Sequence, residues 1–457
     1  MPTDSTARTP ANGRAPRDGR RASLAFALGA FCVQFDSFAL NPALPTIGAD
    51  LNLSAPLLSW TVAVYLLACG SLMVAGGRLG DTVGHRRALA AGLALFGGAS
   101  LLCGASTAGW ALVAARALQG VGAALVMPCG LALVALAHPE GERSRATGRA
   151  LGVAGLATAL GPPLGGLLAD AAGWRWVFLV NAPPLALALL CALRARVGGR
   201  GDGGARPGAV GVAALAGAAG AVMLLAERGA AWGWTSPRTA LVAAVALLSA
   251  AVLWRAERRS AVALVPAALL RDRGYLLGLL AGAAANATTV GWLFAVPPLL
   301  QGVWGLGPGW AGTLFAVPAV AMALAGPVAG RLAGDRPVLS PLLFATGAGG
   351  LAVATLPAAP GPVVLAGMLV CCGAALGLAG ALTLVAAQQA APAGAAGSAP
   401  GLTKTAVTLA GAFGAAASAG PPQEALLLSG TWSLVAALAV TVALAVRAGR
   451  RRGERAR

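Results

Sequence analysis

The alternation of long apolar runs with short polar breaks divides the chain into fourteen stretches, each near the length of a membrane-crossing helix. Cutting at the charged or Pro/Gly-rich breaks places spans at 23–46, 57–77, 87–105, 109–136, 146–169 and 176–194. After the hydrophilic break RARVGGRGDGGARPG, two more follow at 208–226 and 239–254. The remaining six run over 275–300, 309–330, 338–357, 361–387, 397–418 and 426–446. Residues 1–22 are polar, rich in Pro, Gly and Arg, and lack periodicity, which predicts a short disordered tail. The apolar run behind that basic tail is too long for a cleaved leader, and more membrane-type sequence follows it.

The distribution of arginine tests the span count independently of hydropathy, because orientation follows Lys and Arg in short loops. The breaks after spans two, four, six, eight and ten are basic, as are both ends of the chain, whereas those after spans one, three, nine, eleven and thirteen carry no arginine. Arg175, Arg228 and Arg238 are the exceptions. This alternation predicts an even number of spans with both termini cytoplasmic. Trp110, Trp174, Trp176, Trp232, Trp234, Trp304 and Trp310 fall at or beside the predicted outer loops, where an amphipathic ring suits the interface.

Composition agrees with a polytopic membrane protein. Of the 457 residues, 58% are hydrophobic and 11% charged, leaving no room for a sizeable soluble domain. The formal charge of +18 lies almost entirely in the arginines between spans, so basic loops account for it and nucleic acid is not indicated. The seven cysteines all fall inside predicted spans and read as small buried hydrophobes, neither a disulfide framework nor a metal site. His85 and His138 both lie in polar breaks, and no buried acid pair or ligand cluster offers a reaction something to work with, so catalysis is not expected.

One acidic residue stands out. Asp36 lies near the middle of the first span, in FCVQFDSFALNPALP, where an ionised carboxylate costs on the order of a few kcal/mol to insert. It needs a polar cavity or a partner. Arg116 in span four is a second charge within the apolar sequence, followed at helical spacing by Gln119.

Several motifs carry a resemblance. Gly77, Leu79, Asp81, Gly84, Arg86 and Leu89 follow G-x-L-x-D-x-x-G-x-[RK]-x-x-L in GRLGDTVGHRRAL, which resembles the signature loop of the major facilitator superfamily. A glycine-permitted turn there sets an acid and the basic Arg86 and Arg87 at the ends of neighbouring helices; in the family this loop latches the two halves. ARALQGVGAA is similar to the family's R-x-x-Q-G-x-G pattern. Gly161, Pro162, Gly165 and Gly166 match the G-P-x-x-G-G end of a motif typical of antiporters, with Ala157 in place of one upstream glycine. The opening stretch resembles D-x-T-x-x-N-x-A-L-P of the fourteen-span drug:proton antiporter group through Asp36, Asn41, Ala43, Leu44 and Pro45, with Phe38 replacing the threonine. GWRWVFLVNAP and AWGWTSP are also similar to that group.

The second half matches less well. Gln301, Gly312, Pro318 and GRLAGDR (residues 330–336) look like a degenerate repeat with Asp335 one place out of register. In span thirteen, where the group shows G-L-x-N-T-x-R-Q-x-G-G, this chain reads GLTKTAVTLAG and places Lys404, the only lysine, at the asparagine position. Lys404 either faces a central cavity as a second cation or snorkels to the interface.

The resemblance implies an all-α polytopic membrane protein of the major facilitator fold: a tail over 1–22, a six-helix bundle over 23–194, a linker with two additional helices over 195–273, a second six-helix bundle over 274–446 and a basic tail over 447–457. It implies proton-coupled efflux of hydrophobic or cationic small molecules by alternating access in the cell membrane. The expected protein is a monomer with no cofactor, the proton being its coupling ion, and its partners are substrate, protons and lipid. Asp36, Arg116 and Lys404 are expected to couple protons to transport. Asn41, Gln119 and Gln301 are expected to line the substrate cavity. Gly77, Asp81, Gly84, Arg86 and Arg87 form the gating loop, and Gly161, Pro162, Gly165 and Gly166 the antiporter helix. A proton-coupled metabolite importer, which the G-P-x-x-G-G motif speaks against, and a transport-inactive sensor are the alternatives.

Overall fold

The computed structural model describes residues 15–197, 208–259, 264, 266–303, 305, 308–333, 338–359, 361–391, 396–417 and 421–455. Among these residues the fold is entirely helical. The first half contains α1 (Ala15–Asp50), α2 (Ala55–Val83), α3 (His85–Gly104), α4 (Gly109–Ala137), α5 (Glu140–Ala172) and the consecutive pair α6 (Arg175–Leu179) and α7 (Ala182–Arg194). A hairpin of α8 (Ala209–Trp232) and α9 (Pro237–Arg259) follows, then the short α10 (Ala267–Arg271). The second half contains α11 (Arg273–Pro298) with a π-turn over Leu299–Val303, α12 (Pro308–Ala333), α13 (Leu339–Thr355), α14 (Pro362–Gln389), α15 (Ser398–Ala417) and α16 (Pro422–Arg455).

Each expected span finds a helix, with α6 and α7 sharing the sixth; most ends lie within six residues of the apolar boundary, and α16 runs on to Arg455, so the expected basic tail over 447–457 is helical as far as that residue. The ends that differ most are those where helix continues into polar sequence. Helix α1 begins at Ala15, so residues 15–22, expected as disordered tail, are helical; Asp18 in the first turn favours the helix N-terminus and accepts from Arg21 at 3.2 Å. Among the described residues eleven helices are long and apolar enough to cross a bilayer, and the bent α5 makes twelve. The apolar stretch of α12 is the shorter Val317–Ala333. Helix α15 stays more polar because of Thr403, Lys404, Thr405 and Thr408.

Helix α5 bends by 44° between Glu140–Thr158 and Leu160–Ala172. The cause is local: Pro162 and Pro163 cannot donate to the carbonyls four residues earlier, at the break itself. Beyond the bend α5 lies directly on α1. A Cβ on Gly165 would stand 2.1 Å from the Ala39 carbonyl oxygen, so any larger side chain separates these helices.

Helices α1 to α7 pack among themselves, as do α11 to α16. The halves meet along α5 with α12 and along α2 with α15. The hairpin sits outside this seam, with α8 touching both α2 and α15 while α9 presents Leu241, Leu247 and Leu248 outward. Most cysteines are buried as expected, but Cys371 on α14 is exposed. An apolar exterior over much of the molecule is what a lipid-facing surface requires.

Candidate functional site

The polar centre of the first half is a closed network between α1 and α4. The Asp36 carboxylate is fully buried and accepts from Arg116 Nη1 and, at 3.1 Å, from Gln119 Nε2. Arg116 donates further to Gln119 Oε1 at 2.8 Å and to the Thr61 carbonyl at 2.9 Å. Its guanidinium lies 4.2 Å from the centroid of the Tyr65 ring, a cation–π contact that strengthens when desolvated. Gln119 also donates to Ser100 Oγ at 2.7 Å, and Tyr65 donates to the Val33 carbonyl at 3.0 Å. Arg116 and Gln119 share one face of α4 because residues three apart lie one above the other on a helix. Breaking such a buried pair by removing one partner costs roughly 3–5 kcal/mol, since the remaining charge is left uncompensated.

This assigns Gln119 a different place from the expected one. It belongs to the acid network and does not line the cavity. The side chains of Asn41 and Gln301 lie outside the described residues.

The cavity itself occupies about 150 Å³ between the halves. Gln34 and Phe38, four residues apart on α1, line it, whereas Asp36, turned about 200° around the helix from Phe38, faces α4. The position where Phe38 departs from the resembling motif is therefore a cavity wall. Asn286 and Thr289 of α11, Met322 of α12 and Lys404 of α15 also line the space, so Lys404 takes the cavity-facing alternative. Lys404 sits six residues inside the helix end, about 9 Å along the axis; that depth is within reach of the interface, so the cavity lining alone distinguishes the two alternatives. A cavity this small holds no drug-sized molecule, whose pockets run to roughly 300–1,000 Å³. The conformation is a closed one.

The closure lies on the face that carries the N-terminus of α1. There α2 and α15 touch backbone to backbone, a Cβ on Gly77 falling 2.2 Å from the Gly397 carbonyl oxygen. The Asp81 side chain, 3% exposed, accepts from Gly397 N at 2.8 Å and from Ser398 Oγ at 2.7 Å, at the N-terminus of α15. A helix N-terminus favours such a carboxylate. His85 Nε2 stands 3.2 Å from the same Asp81 side chain and Arg78 3.7 Å. Gly84 makes the turn between α2 and α3 at φ 96°, a left-handed conformation open to glycine. Arg86 instead caps α7, donating to the Leu193 carbonyl at 3.1 Å, and Arg87 is exposed. A second cross-half contact joins Thr147 Oγ1 to Gln388 Oε1 at 2.8 Å, and Gln388 donates to the Leu131 carbonyl at 2.7 Å. Residues 334–337, within the weak repeat of this loop, lie outside the described residues.

At the opposite face Asp50 accepts from Trp174 Nε1 at 3.0 Å and Arg175 Nη1 at 2.8 Å. These two hydrogen bonds hold its carboxyl below the usual 3.8. Trp174, expected at the lipid interface, is buried for this reason, and Arg175 stacks 4.4 Å from its ring.

The helical halves, the cavity on their seam and the cross-half latch define a multi-pass membrane protein built of two bundles about a central space. The chain belongs to the Major Facilitator Superfamily, whose sequence model matches residues 26–415. It is 33% identical to the multidrug resistance protein Stp of Mycobacterium tuberculosis (strain ATCC 25618 / H37Rv) over 321 residues, 70% of this chain and 60% of that protein. It is 32% identical to the tetracenomycin C resistance and export protein of Streptomyces glaucescens over 417 residues, 90% of this chain and 77% of that one. The chain thus spans about 60% of the length of Stp. The fold is similar to that of the proton:xylose symporter XylE bound to 6-bromo-6-deoxy-D-glucose, with a TM-score of 0.63 over 92% of this chain and 94% of that one, at 14% identity.

Proposed function

We propose that the protein exports hydrophobic small molecules across the cell membrane in exchange for protons, by alternating access about the central cavity. The observation that carries this reading is the placement of the buried Asp36 and Arg116 pair on the back of the helix that walls the cavity. Relatives named for multidrug resistance and for tetracenomycin C resistance and export support the direction. Both termini lie in the cytoplasm. Support comes from the clustering of Arg17, Arg21, Arg86, Arg194 and Arg196 around one cleft at the end of the molecule that carries the latch.

In this reading a proton competes with Arg116 for Asp36. Protonation removes the ionic part of the contact while Gln119 and the Thr61 carbonyl still accept hydrogen bonds from Arg116, so α1 loosens from α4 while the guanidinium keeps those partners. Because Gln34 and Phe38 ride on the same helix, loosening α1 changes the cavity wall. The Pro-bent α5, seated on α1 at Gly161 and Gly165, transmits the shift to α12 and so to the other half. Substrate and proton are the only species moved, without a cofactor or a chemical step, and a monomer suffices.

Everted membrane vesicles test the reading. Addition of a lipophilic dye to energised vesicles containing the protein collapses part of the pH gradient, and Asp36→Asn abolishes the response. Wild-type vesicles in which no tested compound moves with the gradient, or an Asp36→Asn variant that transports normally, would sink it.

A further inference from the structure

We propose that Lys404 is a recognition residue for anionic cargo, and that the cavity selects molecules with a single carboxylate or comparable anion on an apolar body over cations of the same size. The proposal rests on the export reading and narrows its substrate class.

Among the described residues that line the cavity, Lys404 is the only charged one, and no Asp or Glu joins it. The other polar groups are neutral, and each has a donor engaged within the protein. Asn286 Nδ2 donates to the Val407 carbonyl at 2.8 Å, and Gln34 Nε2 to Thr158 Oγ1 at 3.2 Å. The Thr289 and Thr383 hydroxyls each donate to a carbonyl of their own helix at 2.7 Å. The charge offered to a ligand is therefore the three-donor ammonium of Lys404, set among apolar walls and neutral amides and hydroxyls. Asp36 cannot serve as its counter-charge, because both carboxylate oxygens are taken by Arg116 and Gln119 on the far side of α1. Among the described residues Lys404 forms no salt bridge. An ammonium in an apolar, membrane-embedded space is stabilised by any anion delivered to it, and a second cation there is repelled. The three described hydroxyl-bearing threonines at the cavity add no charge of either sign.

The test measures binding, not flux. The purified full-length protein in detergent is titrated with dansyl-leucine, which bears a carboxylate, and with dansylcadaverine, which bears an ammonium on the same fluorophore. Wild type is expected to bind the carboxylate probe about tenfold more tightly, the ratio that 1.4 kcal/mol produces. Lys404→Arg keeps the preference, Lys404→Gln reduces it to near parity and Lys404→Glu inverts it. Gel filtration and thermal unfolding confirm that each variant is folded, and Lys404→Arg carries the argument where a neutral variant is unstable. Tighter binding of the ammonium probe by wild type, no saturable binding of the carboxylate probe, or an unchanged preference in Lys404→Gln overturns the proposal. Since no proton gradient is present, vesicles that fail to show proton-driven flux while this selectivity holds refute export alone.

Discussion

Asp81→Ala should open the latch. In the closed structure its carboxylate accepts one bond from Gly397 N and one from Ser398 Oγ, both across the seam between halves. A hydrogen bond to a charged group contributes about 1.5–3 kcal/mol net. Two such bonds to one carboxylate are not additive, so about 3 kcal/mol is a reasonable total, a shift of roughly 150-fold in the ratio of closed to open molecules. The alanine also leaves two donors at the N-terminus of α15 without their acceptor, and it removes a negative charge from that end of the helix. Asp81→Asn retains a neutral acceptor and is expected to lose about half as much. The assay is a distance distribution between spin labels at positions 87 and 331, exposed on α3 and α12, in a background lacking the native cysteines. Wild type populates mainly the short distance. In Asp81→Ala the long distance dominates, and transport falls because closure on that face is no longer favoured. If the distributions of wild type and Asp81→Ala coincide, the contact does not set the equilibrium and the energetic reasoning is wrong.

Two further outcomes follow from the charged contacts. Arg116→Met should destabilise the detergent-solubilised protein by roughly 3–5 kcal/mol. Adding Asp36→Asn should return part of that loss, so that a double-mutant cycle shows coupling of at least about 1 kcal/mol; additive effects in thermal or chemical unfolding would contradict the pairing. Asp50 has a depressed carboxyl, so its contribution to stability is present above the ordinary 3.8 and is lost as pH falls through the lower folded value. Acid titration followed by the fluorescence of Trp174, in a variant retaining that tryptophan alone, should show a transition below pH 3.8 that Asp50→Asn lacks.

The placing of the apolar stretches and the main charged pair were legible in the sequence because each depends on a local signal, although among the described residues eleven helices, or twelve with the bent α5, rather than fourteen are long and apolar enough to cross a bilayer. Apolar length places a span, and a buried carboxylate calls for a buried cation, which Arg116 and Lys404, away from the span ends, could supply. The loop motif was legible too, down to Asp81 as the acid at a helix end. What could not be read was rotation. A helix that is apolar around most of its circumference does not announce which side faces which neighbour, and so Gln119 was expected at the cavity when it belongs to the acid network. Thr61, Ser100 and the ring of Tyr65 were missed for the same reason. A usable signal existed for Tyr65: the chain has only two tyrosines, and both lie in spans with their hydroxyls bonded across helices, Tyr65 to the Val33 carbonyl and Tyr275 to Thr403.

The pairing of Asp36 with Arg116 has an electrical side. As an ion pair it is neutral, so a voltage across the membrane does no work on it as the halves rock. Once Asp36 takes a proton the site carries one uncompensated positive charge, and every elementary charge that traverses a full 100 mV exchanges about 2.3 kcal/mol with the field. In the proposed exchange, the same network that hides two charges from the lipid therefore decides when this site, as distinct from Lys404, feels the voltage: only in the form that has just been loaded with a proton.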